Sequence, residues 1–124
     1  MLPKMMLNSA RYIYGVPFII FGLLHYFHAD TMVSMVPTWL PVPMFWVYLV
    51  GFCLFIAGLS IVFKHLSALA CQLLALLLLT FIITVHMPLM GVPGMEQMAM
   101  VSILKDMGLM GAALGFASMF ERDL

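Results

Sequence analysis

An all-α fold, a polytopic membrane four-helix bundle with both termini in the cytoplasm, is what this sequence predicts. Three observations lead there. Hydrophobic residues make up 65% of the 124-residue chain and charged ones 8%, with a mean hydropathy of +1.17. A soluble domain averages about 25% charged residues, so this composition cannot present a wettable surface. The apolar residues gather into four continuous runs near the roughly 20 residues that a helical span needs, too long and unbroken for membrane strands. Lys4, Arg11, Lys64 and Arg122 all fall on one side of a four-span topology, and the opposite loops hold no Lys or Arg. The positive-inside rule makes that side cytoplasmic. With no repeat or linker, residues 1–124 read as a single transmembrane domain.

The first span covers about residues 12–29. Lys4 and Arg11 precede it as in a signal peptide, but no small-residue cleavage site follows, so it is expected to be retained. Asp30 then stands as an N-cap before a short apolar pattern that Pro37 terminates, predicting one or two helical turns at the interface. In Val36-Pro-Thr-Trp-Leu-Pro-Val-Pro43 the prolines forbid regular helix. Trp39, Trp46 and Tyr48 suit an outer aromatic belt. The second span runs over about 44–63 and the third over about 66–87, separated by a Lys64-His65 turn. Cys53 and Cys71 fall at different depths in them with no C-x-x-C spacing, so they read as small buried hydrophobes rather than a redox pair. Pro88 closes the third helix, Gly91-Val-Pro-Gly94 forms a turn, and Glu96 opens the fourth span, about 96–120, where the helix dipole favours an acid.

Lys105 and Asp106 interrupt that last span. An ionisable group in hydrocarbon costs at least a few kcal/mol, so it is expected to face the interior with a partner. Histidines are the candidates. His25, His28 and His86 all fall near the outer face, whereas His65 lies in the cytoplasmic turn. At about 100° per residue, His86 shares a face with Leu79, Ala75 and Gln72, expected to point inward. Tyr14, Phe18 and Phe21 extend the His25 stripe and are expected to pack. Asp106 shares a face with Ser102, Met110 and Ala113, while Gly108, Gly111 and Gly115 form a strip roughly opposite. Such a strip admits close approach of another helix, in this chain or in a second copy forming a homodimer.

Imidazoles and a carboxylate can relay protons, hydrogen-bond a quinone-type headgroup, ligate a metal or clamp helices. No spacing here is diagnostic of haem or metal, so neither is expected, and no catalytic residue is assigned. Gly22-Leu-Leu-His25-Tyr-Phe, Val36-Pro-Thr-Trp-Leu-Pro41, Phe45-Trp-Val-Tyr-Leu-Val-Gly51, His86-Met-Pro88 and Leu104-Lys-Asp106 with Gly111-Ala-Ala follow one another in an order that resembles the DoxX-like family across nearly the whole chain. The resemblance implies a compact four-helix membrane protein of the bacterial inner membrane. It also implies a redox-associated subunit whose outward-facing pocket binds a quinone-like or other lipophilic ligand. His25, His28, Trp39, Tyr48, His86, Lys105 and Asp106 are the candidate ligand-binding or proton-relay residues. The alternative is a non-catalytic scaffold or chaperone that assembles with partner membrane proteins. Membrane lipid is a partner in either case, and nucleic acid in neither.

Overall fold

The computed structural model describes residues 2–120, and no strand occurs among them. Four helices are long and apolar enough to cross a membrane: α1 (Leu2–Phe27), α2 (Pro43–Val62), α3 (Ser67–Leu89) and α4 (Glu96–Met119). Three of them lie close to the expected spans. Helix α1 begins at Leu2 rather than near Tyr12, because Lys4, Asn8 and Arg11 dilute the hydropathy of its early turns without breaking a helix. Arg122, one of the charges used to orient the chain, lies outside the described residues.

The connections are short. Ala29–Met32 forms one α-turn and Val33–Met35 a 3-10 turn, as the segment before Pro37 predicted. His28, not Asp30, occupies the N-cap position; Asp30 sits in the first turn, where its Oδ1 accepts from the Thr31 amide at 3.1 Å. Pro43 stands at the start of α2, where its missing N–H costs nothing. At the other end of the chain's third connection, Glu96 reaches back so that its Oε2 accepts from the Gly94 amide at 3.1 Å. Gly94 has φ +85, a left-handed conformation that suits glycine.

The buried positions repeat every seven residues in each helix. Arg11, Gly15, Phe18 and Gly22 in α1; Val47, Gly51, Leu54, Gly58 and Ile61 in α2; Ser67, Cys71, Leu74 and Leu78 in α3; and Ala99, Asp106, Ala113 and, just past its end, Phe120 in α4 hold this register, with Tyr14, Ala70, Ala75, Ile82 and Ala117 buried beside it. Alternating steps of three and four hold one seam toward a neighbouring helix, the pattern of left-handed coiled packing. The opposite faces are apolar but exposed: Ile13 is 74%, Leu76 61% and Leu104 59% accessible. Lipid solvates such faces as well as a protein core would, so cohesion must come from close packing and polar contacts between helices.

The helices pack as two pairs, α1 with α2 and α3 with α4. Between α1 and α2, Gly22 faces Gly51 and Gly15 faces Gly58. A Cβ on Gly22 would lie 2.6 Å from the Gly51 carbonyl oxygen, and one on Gly58 would lie 2.7 Å from that of Gly15. Along α3 and α4, the small side chains Ala70, Ala75, Ala99, Ala113 and Ala117 are buried. Cys71 is fully buried, as expected, whereas Cys53 is exposed, because the buried seam of α2 passes through Gly51 and Leu54 on either side of it.

Two polar residues of α1 cross between the pairs. Tyr14 donates from its hydroxyl to the Leu109 carbonyl at 2.5 Å and packs its ring 4.9 Å from that of Phe116. Phe18 is buried beside it, at 5.1 Å between ring centres, whereas Phe21, expected in the same packed stripe, is 42% exposed. Tyr14→Phe keeps the ring contacts and removes only the hydroxyl. The expected loss is about 1 kcal/mol of unfolding free energy, checked by denaturation in mixed detergent micelles.

Arg11, only 4% exposed, makes the second link. It donates from Nη1 to the Ile61 carbonyl at 3.0 Å and to Ser67 Oγ at 2.9 Å, and its guanidinium lies 4.0 Å from the centre of the Phe120 ring. Ser67, fully buried, donates in turn to the Ser60 carbonyl at 2.9 Å. One α1 side chain thus touches the end of α2, the start of α3 and the residue after α4.

Candidate functional site: a buried carboxylate and imidazole

Asp106 is turned away from the lipid-facing side of α4 and is 6% exposed. Ala99 and Ala113, one heptad to either side and fully buried, keep the helix surface low around it, so α3 can approach. Facing it is His86, whose Nε2 stands 2.8 Å from Asp106 Oδ2. The expected partnership between the intramembrane acid and a histidine is present, with His86 as the partner.

The way His86 gets there differs from the expected route. Gln72 and Leu79, thought to share its inward face, are exposed. The buried stripe of α3 runs instead through Ser67, Ala70, Cys71, Leu74, Ala75, Leu78 and Ile82. An unbroken α-helix would carry the residue four places after Ile82 round toward the edge of that stripe. The π-turn at Ile82–His86 holds more residues per turn, which slows the rotation and keeps His86 toward α4. Thr84 within this turn donates its hydroxyl to the Thr80 carbonyl at 2.6 Å, so its polar group is satisfied locally. π-turns are rare and recur at functional sites.

The pair is incompletely satisfied. Its 2.8 Å separation is an ion-pair distance, but the two groups are not aligned as a hydrogen bond, and Oδ2 is without an aligned donor. His86 Nδ1 is buried and has no hydrogen-bond partner among the described residues. A buried polar atom without a partner normally costs about 1–3 kcal/mol. Burial favours neither a bare carboxylate nor a bare imidazolium, and placing one against the other is the arrangement that offsets both penalties.

The other candidate residues lie elsewhere. Nδ1 of His25 is 2.7 Å from the Phe21 carbonyl of its own helix, and a Cβ on Gly51 would lie 2.5 Å from the His25 Cβ. The side of α1 that it occupies is committed to α2, so the expectation that it faces Asp106 is corrected. His28 is exposed beside the one-turn helix it caps. Trp39 is 72% exposed, while Trp46 donates from Nε1 to the Pro41 carbonyl at 2.8 Å, fixing the proline-rich loop against α2. Tyr48 pairs with Tyr26 at 5.0 Å between ring centres, near the surface. Lys105 is exposed, because one residue's step round α4 turns it away from the seam that holds Asp106. It does not line a common pocket with the histidines.

Two hollows approach ligand size. One, of about 500 Å³, lies between α2 and α3 and is lined by residues such as Cys53, Ile56, Leu73 and Thr80. The other, of about 530 Å³, opens between the start of α3 and the end of α4, around Gln72, Leu114 and Ser118. Neither includes His86 or Asp106. Among the described residues, no three His, Cys, Asp or Glu side chains converge as they would on a metal ion.

No protein-family model matches the chain, and no curated protein and no solved structure matches it.

Proposed function

We propose that this is a DoxX-like integral membrane protein of the bacterial inner membrane, with both termini cytoplasmic, acting as a redox-associated subunit at its His86–Asp106 pair. In this reading the pair engages the polar head of a quinone-like or other lipophilic molecule and handles the proton that accompanies it. The observation that supports it is an acid and an imidazole held 2.8 Å apart inside the helical layer, with Nδ1 of the ring left unpartnered. Acid and imidazole together can hold one proton and pass it along, and the spare ring nitrogen offers a donor or acceptor to a carbonyl or hydroxyl headgroup. Intramembrane ionisable residues of this kind mark proton and ligand paths.

Two measurements test it. Protein purified in mild detergent is expected to yield a quinone or related polar lipid by mass spectrometry of its lipid extract. Asp106→Asn keeps the size and hydrogen-bonding capacity of the side chain but removes the ionisable proton. It is expected to abolish complementation of a strain lacking the protein while leaving the folded fraction unchanged. Full complementation by Asp106→Asn, with no lipophile in the extract, would overturn the reading.

The separation of both hollows from the pair favours a second reading, a membrane scaffold or chaperone that assembles with partner membrane proteins. There the pair is a clamp joining α3 to α4, and Asp106→Asn is tolerated. Gly108, Gly111 and Gly115 would then supply a contact face for a partner or a second copy.

A further inference from the structure

Lys105 is the one charged residue in the middle of α4 that faces away from the protein. It stands nine residues after Glu96, about 14 Å along the helix axis, so it lies near the midpoint of a span that crosses roughly 30 Å of hydrocarbon. Among the described residues its ammonium has no hydrogen-bond or ion-pair partner, since Asp106 next to it is turned inward to His86. Lysines close to a helix end can snorkel to the interface. From mid-span the four-carbon stem is shorter than the distance back to Glu96, so lipid alone leaves the ammonium in an apolar medium.

The surface around Lys105 is built for close approach. A Cβ placed on Gly108, Gly111 or Gly115 would meet nothing within 4 Å, so these glycines are not used in packing α4 against its own chain. Met98, Val101 and Leu104 beside them are each more than half exposed. This contrasts with Gly15, Gly22, Gly51 and Gly58, which are all occupied between α1 and α2.

We infer that this face of α4 receives a transmembrane helix of another protein carrying an Asp or Glu at mid-span, whose carboxylate pairs with Lys105. Charge selects this occupant over a second copy. Two copies sharing one topology and meeting about a two-fold axis along the helices would bring Lys105 against Lys105. Nor does the chain offer a carboxylate at that depth, since Asp106 belongs to His86 and Glu96 lies at the helix end. An incoming acid satisfies both charges where neither has water, while the glycines let the backbones approach.

The test uses the full chain in phosphatidylcholine vesicles with synthetic Leu/Ala transmembrane helices bearing a single mid-span Asp, Asn, Lys or Leu, and measures association by energy transfer. The Asp helix is expected to associate about tenfold more tightly than the Leu helix. That preference is expected to vanish in Lys105→Met and to pass to the Lys helix in Lys105→Glu, with Gly111→Leu weakening association of the wild-type charge pair. Circular dichroism and gel filtration of each variant confirm that the chain is folded. Equal association of Asp and Leu helices, a preference retained by Lys105→Met, or self-association of the chain that displaces the Asp helix would each overturn the inference. The outcome is read separately from the ligand test at Asp106, because association with the synthetic helices is measured with no lipophilic ligand present and leaves Asp106 unchanged.

Discussion

Arg11→Met is expected to lower the free energy of unfolding by about 3 kcal/mol, although it removes a charge from a 65% hydrophobic protein. The methionine keeps most of the apolar stem but withdraws the donor that Ile61 O and Ser67 Oγ share, and the cation above the Phe120 ring. Each hydrogen bond from a charged group contributes about 1.5–3 kcal/mol net, and a desolvated cation–π contact about 2, while relief from burying the guanidinium offsets part of the loss. Arg11→Lys is expected to fall between the two, since an ammonium lacks the planar fork and stacks poorly on an aromatic face. Denaturation with sodium dodecyl sulfate in mixed micelles, followed by near-ultraviolet circular dichroism, reads the change. An unchanged midpoint for Arg11→Met would show that the link is decorative.

The second large effect is a contrast between chemically identical substitutions. Gly22→Ala places a methyl 2.6 Å from the Gly51 carbonyl oxygen and 2.7 Å from the Phe55 amide nitrogen. Those are backbone atoms, so no side-chain rotation relieves the clash and the two helices must separate. Overpacking of this kind costs about 1–3 kcal/mol, and the loss spreads along the seam to Gly15 and Gly58. Gly108→Ala, with nothing within 4 Å of the new carbon, is expected to be neutral or stabilising by up to about 1 kcal/mol through helix propensity. The same micelle titration compares them. Equal behaviour of the two variants would contradict the close α1–α2 contact.

The four spans were legible because hydropathy over a window of about 20 residues is a property of composition and does not depend on partners. The pairing of Asp106 was legible for the opposite reason: a charge so costly in hydrocarbon demands a partner, and few residues qualify. Which histidine would answer was less open to reading. Projection at 100° per residue assumes an unbroken helix, and the π-turn at Ile82–His86 shifts the phase just before the residue in question. The projection therefore placed Gln72 and Leu79 on the inner face when both are exposed. His25 sat at a suitable depth, but depth says nothing of azimuth, and the close approach of Gly22 to Gly51 turns its side of α1 toward α2.

Two features of the packing have signals in the sequence that hydropathy and net charge do not carry. Gly15 with Gly22, and Gly51 with Gly58, share a seven-residue spacing that marks a small-residue seam as plainly as the strip on α4, which drew attention because it lay beside a charge. The sign of Arg11 orients the chain, but its position also carries information. Its place on one helix face with Tyr14 and Phe18, about one and two turns further on, is the pattern of a buried residue.

The position of Arg11 along the chain also bears on the order of biosynthesis. It leaves the ribosome well before the two acceptors that follow 50 and 56 positions later, and before the aromatic ring of Phe120 just past α4. A nascent chain therefore carries this cation at the membrane before the contacts from α2, α3 and the residue after α4 can form. Delivery of α4 and closure of the latch are thereby joined, since a chain still short of that helix lacks the contact between Arg11 and Phe120.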